Sequence, residues 1–159
     1  MGALAIGARS TATGINAIAI GENTDATGAN SIAIGGDTTD GDSADATAAN
    51  AIAIGVKTLA SGVDSVAIGN RAMATDVGQF AYASGYFAAV GDAQTSIYVL
   101  RNQTTNATQT ELFTNGSSTG ISVASDSTVF FRVSIAARRT DVDNESAAYV
   151  IEGCIDNNA

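Results

Sequence analysis

The side chains best suited to chemistry in this sequence are carboxylates that cluster in one glycine-flanked stretch. Asp37, Asp40, Asp42 and Asp45 lie within nine residues of one another. Carboxylate oxygens are the ligands that Ca²⁺ prefers, so the stretch is a candidate cation loop, although it lacks the Glu that an EF-hand places at its twelfth position. A contact finger for a partner is a second interpretation. The sequence favours a third, a solvated acidic surface loop, so we expect no resident metal or cofactor.

A second acidic group, near the end of the chain, consists of the alternating residues Asp141, Asp143 and Glu145. Such a group is able to bind a cation, but Arg138 and Arg139 stand immediately before it. Opposite charges on facing strands stabilise a hairpin. The pattern therefore favours a β-hairpin with charge compensation over a metal site.

Three aromatic residues, Tyr82, Tyr86 and Phe87, stand close together near the middle of the chain. Aromatic rings suit the apolar faces of sugars, so these residues are candidates for a carbohydrate contact. The alternative is that the rings close the end of a repeat domain that stops just before them. The sequence favours this structural role.

Catalytic groups are otherwise scarce, because the chain has no His and one Cys. The absence of His removes the usual proton shuttle near neutral pH and the commonest metal ligand. Cys154 lies in an apolar run and is predicted to be a small buried side chain. A polysaccharide-cleaving enzyme would need two carboxylates paired across a cleft, and the acids here lie in loops without evident pairing. We therefore predict that the protein is not an enzyme.

The overall charge narrows the range of partners. Sixteen acidic against seven basic residues give a net charge of −9, which disfavours nucleic acid and anionic membranes. No segment approaches the ~20 apolar residues of a membrane-spanning helix, so we expect no membrane insertion.

A short apolar strand motif recurs through the first half of the chain. Its copies are 14 residues apart, except for one interval of 20 that contains the acidic stretch. Fourteen residues are too few for a helical repeat, and an internal period of two indicates a β-strand. The motif occurs at Leu4-Ala5-Ile6-Gly7, Ile18-Ala19-Ile20-Gly21, Ile32-Ala33-Ile34-Gly35, Ile52-Ala53-Ile54-Gly55 and Val66-Ala67-Ile68-Gly69, with a decayed copy at Phe80-Ala81-Tyr82-Ala83.

Each repeat is therefore predicted to form one coil of a β-solenoid, with equivalent residues stacked about 4.8 Å apart. The glycines after the strands permit the tight turns between them. Asn16, Asn30, Asn50 and Asp64 precede successive strands, and we expect their side chains to hydrogen-bond along the coil axis. The roll spans residues 1–85, and residues 86–94 form a transition or cap.

Both faces of these strands are apolar, one bulky and one made of alanine. A 14-residue coil closes a circuit of only about 46 Å, so its interior is thin and the second face needs another chain close by. The pattern therefore predicts self-association, with a loop-capped monomeric solenoid as the alternative, and it does not decide which face looks outward. The candidate core and contact columns are Ile18, Ala19, Ile20, Ile32, Ala33, Ile34, Ile52, Ala53, Ile54, Val66, Ala67 and Ile68.

The whole pattern, Asn-(Ala/Ser)-(Ile/Val)-Ala-Ile-Gly, then Ser or Thr three residues on, then Ala-(Thr/Ser)-Gly, resembles the head repeat of YadA-like trimeric autotransporter adhesins over residues 3–83. The Ser/Thr positions are Ser10, Thr24, Thr38 and Thr58, and Ala72 departs from them. The resemblance implies a left-handed parallel β-roll, three chains packed about a common axis, and adhesive or spacer work outside the cell. Bacteriophage tail fibres carry similar repeats.

Residues 95–159 are predicted to form a small antiparallel β module, sandwich-like in arrangement. Strands are expected at 96–101 and 111–114, and residues 127–138 alternate well and face an answering strand through Tyr149 and Ile155. This half resembles a β module at the C-terminal end of phage structural and tail-fibre proteins, where the module tends to be longer. We therefore expect a truncated module.

These patterns lead to one functional interpretation, a homotrimeric fibre segment for host attachment in a phage tail fibre or other virion structure. The expected partners are further copies of the chain, other virion or fibre proteins, and a host cell-surface glycan or protein. No heptads and no amphipathic barrel strands are recognisable after residue 95, which favours the virion over a bacterial cell surface. The head of a bacterial trimeric autotransporter adhesin is the alternative, and a polysaccharide-degrading spike enzyme is a third.

Overall fold

The computed structural model describes residues 2–39, 41–106, 108–139 and 145–158. Within these ranges the chain forms strands, turns and bends but no helix, in agreement with the predicted all-β class. No helix long and apolar enough to span a membrane is therefore found in this part of the chain. Asp40, Asp141 and Asp143 lie outside the described residues. The strands are β1 (Leu4–Ile6), β2 (Thr11–Ala12), β3 (Ile18–Ile20), β4 (Asp25–Ala26), β5 (Ile32–Ile34), β6 (Asp45–Ala46), β7 (Ile52–Val56), β8 (Leu59–Ala60), β9 (Val66–Asn70), β10 (Met73–Ala74), β11 (Phe80–Ser84), β12 (Thr95–Ile97), β13 (Ser127–Arg138) and β14 (Ser146–Asn157).

Two sheets build the roll. The first has the strand order β1-β3-β5-β7-β9-β11-β12, and its first six strands are parallel. The second has the order β10-β8-β6-β4-β2 and is parallel throughout. Each repeat therefore supplies a strand to the first sheet and, in all but the last, a short strand to the second, and about six coils stack into the predicted solenoid.

The interior of the roll consists of small side chains. Ala19, Ala33 and Ala53 of the first sheet and Ala26 and Ala46 of the second are fully buried. Among the described residues, alanine is the only apolar side chain that is buried. Sheets that carry large side chains pack about 10 Å apart, and a 14-residue coil is too short to leave that space. The alanine face is therefore the inward face, and the isoleucine face looks outward.

Gly21 shows why glycine follows the strands. Its φ is 134°, and a Cβ there would lie 1.5 Å from the carbonyl oxygen of Gly35 in the next coil. Side chains are excluded because successive coils stack backbone on backbone at this corner. The decayed last copy has Ala83 in the same column, and β12, which pairs with residues 80–82, does not cover that position.

The insertion changes which residue occupies one column of the core. The resemblance placed Thr38 in the Ser/Thr column, but Ala44 takes that place. The N–H of Asp25 donates to the Ala44 carbonyl at 3.1 Å, as the N–H of Leu59 donates to the Ala72 carbonyl in a later coil at 3.0 Å. Ala44 is fully buried and Thr38 is exposed. The extra residues therefore all precede Ala44, and Thr38 belongs to the loop.

The chain divides into two compact units, Met1–Ile121 and Ser122–Ala159. In the first unit β12 pairs antiparallel with the last strand of the roll, with Ser96 opposite Ala81. The predicted strand at 96–101 is thus shorter and joins the first sheet. The predicted strand at 111–114 is reduced to a single bridge between Phe113 and Arg101.

The second unit is a hairpin of two twelve-residue strands, β13 and β14, paired antiparallel from Ser127–Asn157 to Arg138–Ser146. Both strands agree with the predicted alternation at 127–138 and its answering strand. The described part of this unit contains one two-stranded sheet rather than two packed sheets, because no further segment there has the length or pattern of a strand. The predicted small antiparallel module is therefore a hairpin and not a sandwich.

Candidate functional site

The broadest candidate surface is the outer face of the first sheet. One column runs through Ile18, Ile32, Ile52 and Val66, which the parallel register places next to one another. These side chains are half-buried, and on the neighbouring column Ile34 is 37% exposed. The first column continues through Leu4 at one end and through Phe80 and Ile97 at the other; the second contains Ile6, Ile20, Ile34, Ile54, Ile68 and Tyr82.

This face is a continuous apolar surface that the roll cannot bury by itself. Its interior is already filled by alanine, serine and threonine, so the outward columns have no inner layer to join. Fully burying an exposed isoleucine side chain contributes roughly 1.5–3 kcal/mol, and completing the burial of these half-buried side chains contributes a part of that. The predicted columns are thus separated by the structure into an alanine core and an outward isoleucine face.

A ladder of polar side chains follows one corner of the roll, as the sequence predicted. The Asn16 amide donates to Asn30 Oδ1 at 3.2 Å, Asn30 donates to Asn50 at 3.1 Å, and Asn50 donates to the Asp64 carboxylate at 2.8 Å. All four residues have φ between 56° and 59°, a left-handed conformation in which Asn and Asp are enriched. Gly78 occupies the next left-handed position, so the ladder ends at the charged acceptor.

The acidic stretch is held mainly by contacts within the chain. Asp42 forms an ion pair with Lys57, and the hydrogen bond from Lys57 holds the pKa of that carboxyl below its ordinary value. Asp37 accepts the N–H of Thr39 at 3.0 Å. Asp45 lies in β6 and pairs with Asp25 and Leu59. Within the described ranges, no three acidic, His or Cys side chains gather as a metal site.

The three aromatic candidates take different positions. Tyr82 lies on the outer face of the first sheet, the ring of Tyr86 lies under the Arg71 guanidinium at 3.9 Å, and Phe87 is 86% exposed. The loop that carries Tyr86 and Phe87 is held by Asp92, whose carboxylate accepts the N–H groups of residues 87–89 at 2.6–2.9 Å. Hydrogen bonds from Ala88, Ala89 and Phe87, in that order, lower the pKa of Asp92.

Two glutamines, which sequence reasoning missed, close the second sheet at its C-terminal end. The Gln94 side chain accepts the N–H of Met73 at 2.8 Å and donates to its carbonyl at 2.8 Å. Gln79 Oε1 accepts the N–H groups of Thr75 and Asp76 at 2.8 and 3.0 Å. One signal in the sequence marks this end of the roll. The buried Gln79 stands in a column where the preceding coils have small residues, namely Ala17, Ser31, Ala51 and Ser65.

Tyr98 ties the segment after β12 to the last coil. Its hydroxyl donates to Asp76 Oδ2 at 3.1 Å. Burial raises the pKa of Tyr98 well above its ordinary value, and the nearby Asp76 carboxylate raises it further. The phenol therefore stays protonated as a hydrogen-bond donor.

The hairpin of the second unit has one apolar and one mixed face. The cross-strand pairs on the apolar face include Val133 with Ile151 and Ile135 with Tyr149, and Tyr149 is 60% exposed. The ring of Phe131 covers Gly153 on the same face, where a Cβ would lie 2.8 Å from the ring. No further strand of the second unit covers this face among its described residues.

The mixed face of the hairpin carries charges and the single cysteine. On this face Arg132 pairs with Glu152 at 3.2 Å, and beyond the paired ends of the two strands Arg139 pairs with Glu145 at 2.9 Å. The Arg139–Glu145 pair is the predicted charge compensation. Cys154, predicted to be buried, is exposed opposite Phe130, because no further strand of the second unit covers this face among its described residues.

The comparison with known proteins finds a match for the first part of the chain only. The model of the YadA head domain repeat matches residues 1–24, 12–38 and 41–75. No curated protein sequence and no solved structure shows significant similarity to the chain. The matched ranges contain β1 to β10 and both sheets of the roll except its last strands, and they include the outward isoleucine columns. Residues 1–38 and 41–75 are therefore similar to the YadA head repeat, and they fold as a parallel β-solenoid.

Proposed function

We propose that the chain is a structural, adhesive fibre segment that works as a homotrimer. The observation that carries the proposal is the outward isoleucine face of the first sheet, such as Ile34 and Ile54, on a roll whose interior is already filled by alanine. Three copies that face these columns toward a common axis would remove them from water. The apolar face of the hairpin adds a second surface with the same requirement.

The proposed mechanism is mechanical and multivalent. Backbone pairing along the roll and the asparagine ladder supply stiffness, and the outward columns join the chains. Three weak contacts on one rigid axis then raise the overall affinity for a surface without any single tight contact. The proposed partner is a glycan or protein on a host cell, and the exposed Tyr86 and Phe87 are candidates for the contact, whereas Tyr82 lies in the outward columns that join the chains. We propose no enzymatic activity.

The experiment that tests the homotrimer is the molar mass in solution by light scattering. We expect three times the 15.8-kDa mass of the chain over a wide range of concentrations. A folded species at the mass of one chain would contradict the trimer and the function that depends on it.

The repeat is equally compatible with a virion fibre and with the head of a bacterial trimeric adhesin. The feature that favours the virion is the resemblance of residues 95–159 to modules of phage fibres, and the matched family is itself an adhesin repeat. Antibodies against the purified chain, applied to phage particles and to bacterial cells in immunogold electron microscopy, separate the two. Labelling of particles is expected for the virion, and labelling of cell surfaces alone would favour the adhesin.

A further inference from the structure

The two ends of the roll differ in how the second sheet stops. Within the chain, each inner strand of this sheet donates to the backbone of the next coil. The N–H of Leu59 donates to the Ala72 carbonyl at 3.0 Å, and the N–H groups of Ser61 and Gly62 donate to the Ala74 carbonyl at 2.9 and 3.1 Å. After β10 no further strand of this sheet follows among the described residues.

At β10 the same backbone groups are bound by side chains. Met73, which stands in the position of Leu59, donates to Gln94 Oε1 at 2.8 Å. Thr75 and Asp76, which stand in the positions of Ser61 and Gly62, donate to Gln79 Oε1 at 2.8 and 3.0 Å. A glutamine amide offers the same acceptor and donors as a peptide group, so it is able to replace a strand.

The two glutamines also bind each other's partners. The amide nitrogens of both donate to the Met73 carbonyl, Gln94 at 2.8 Å and Gln79 at 3.3 Å, and both donate to the Ser96 hydroxyl at about 3 Å. Ser96 lies in β12, which pairs with β11 and ends the first sheet. The two glutamines are therefore hydrogen-bonded both to the edge of the second sheet and to the last strand of the first.

We propose that Gln79 and Gln94 act as a side-chain strand that closes the second sheet of the roll, at β10, against edge-on addition of another β-strand. An open sheet edge is a template for pairing with a further chain, and parallel coils of identical pitch are well matched to such stacking. At the other end, β1 and β2 each pair with one strand only in the described part of the chain. The cap of two glutamines thus prevents a strand of another copy from pairing with β10.

The inference does not depend on the trimer, because it concerns growth along the roll and not association through its sides. The test compares Gln94→Ala, Gln79→Ala and the double variant with Gln109→Ala, a control in an exposed loop. Amide hydrogen exchange measured by NMR reports whether the Met73, Thr75 and Asp76 amides are hydrogen-bonded. Sedimentation velocity measures the size of the assembly.

In Gln94→Ala we expect the Met73 amide to exchange at least about tenfold faster while the Leu59 amide is unchanged. In Gln79→Ala we expect faster exchange of the Thr75 and Asp76 amides, while the exchange of the Ser61 and Gly62 amides is unchanged. The double variant is expected to form concentration-dependent species larger than the wild-type assembly. Unchanged Met73 exchange, or fast exchange without larger species, would overturn the proposal.

A variant that unfolds the last coils would lose protection at Leu59 too, so Gln94→Glu provides a second test. Its carboxylate retains the acceptor for the Met73 N–H but lacks the donor for the Met73 carbonyl. We expect the Met73 amide to stay protected in this variant and the assembly to stay at wild-type size. Loss of protection at Met73 with Leu59 intact would contradict the role of Gln94 as a strand substitute.

Discussion

The contribution of a buried Thr or Ser to the stability of the roll depends on whether its hydroxyl forms a hydrogen bond. This matters here because the core has almost no large apolar side chain. Thr24 and Thr58 occupy the same column and are both buried. The Thr24 hydroxyl donates to the Gly21 carbonyl at 3.1 Å, whereas the Thr58 hydroxyl has no partner within the described part of the chain. The same substitution to Val is therefore expected to change the free energy of unfolding in opposite directions at the two sites.

We expect Thr58→Val to raise the free energy of unfolding by about 1 kcal/mol, since it removes an unsatisfied buried hydroxyl and keeps the shape. Thr24→Val is expected to lower it by about 0.5–1.5 kcal/mol, since it leaves the Gly21 carbonyl without its bond. Chemical denaturation at one fixed protein concentration measures both. A loss of stability in Thr58→Val would show that its hydroxyl has a partner after all.

At the scale of elements, the asparagine ladder joins coil to coil at one corner of the roll. Asn30 is an inner member, because it accepts from Asn16 and donates to Asn50. Its backbone is left-handed, with φ of 56°. The side chain therefore has two separable roles, tolerance of the turn and hydrogen bonding along the axis.

Substitutions at Asn30 separate these roles. Asn30→Ala removes both and is expected to lower the free energy of unfolding by about 1–2 kcal/mol. Asn30→Gly keeps the left-handed turn and loses the ladder, so we expect a smaller loss, below about 1 kcal/mol. Thermal or urea unfolding compares the two. Equal losses in both variants would mean that the ladder alone stabilises this corner.

At the scale of the whole molecule, the sorting of small and large side chains makes the proposed association of copies testable. Ile54 points outward from β7 and is half-buried, while Ala53 beside it is fully buried in the core. A charge at position 54 would leave the alanine core unchanged but would be desolvated in any side-by-side assembly. Val63, an exposed apolar residue at a corner of the roll, offers a control outside both columns.

Ile54→Asp is therefore expected to shift the protein from the proposed trimer to a monomer at micromolar concentration, whereas Val63→Asp is expected to keep the wild-type mass. Light scattering measures the mass, and circular dichroism checks that the strands remain. A trimeric Ile54→Asp variant with intact strands would place the subunit interface elsewhere than the first sheet.

The sequence alone was sufficient for the features that repeat. The 14-residue step, the in-register strands, the solenoid and the contacts of Asn16, Asn30 and Asn50 along the axis all follow from periodicity, because identical positions of stacked coils must lie next to one another. The two strands of the hairpin follow from the alternation of apolar and polar residues, which is a local pattern.

Tertiary structure decided the features that depend on space and on ends. Both faces of the repeat are apolar, so only the narrow gap between the sheets shows that Ala33 points inward and Ile34 outward. The place of Ala44 in the core depends on how the insertion is accommodated. The pairing of β12 with the roll and the contacts of Gln79 and Gln94 occur once, between residues distant in sequence, where no repeated pattern reveals them.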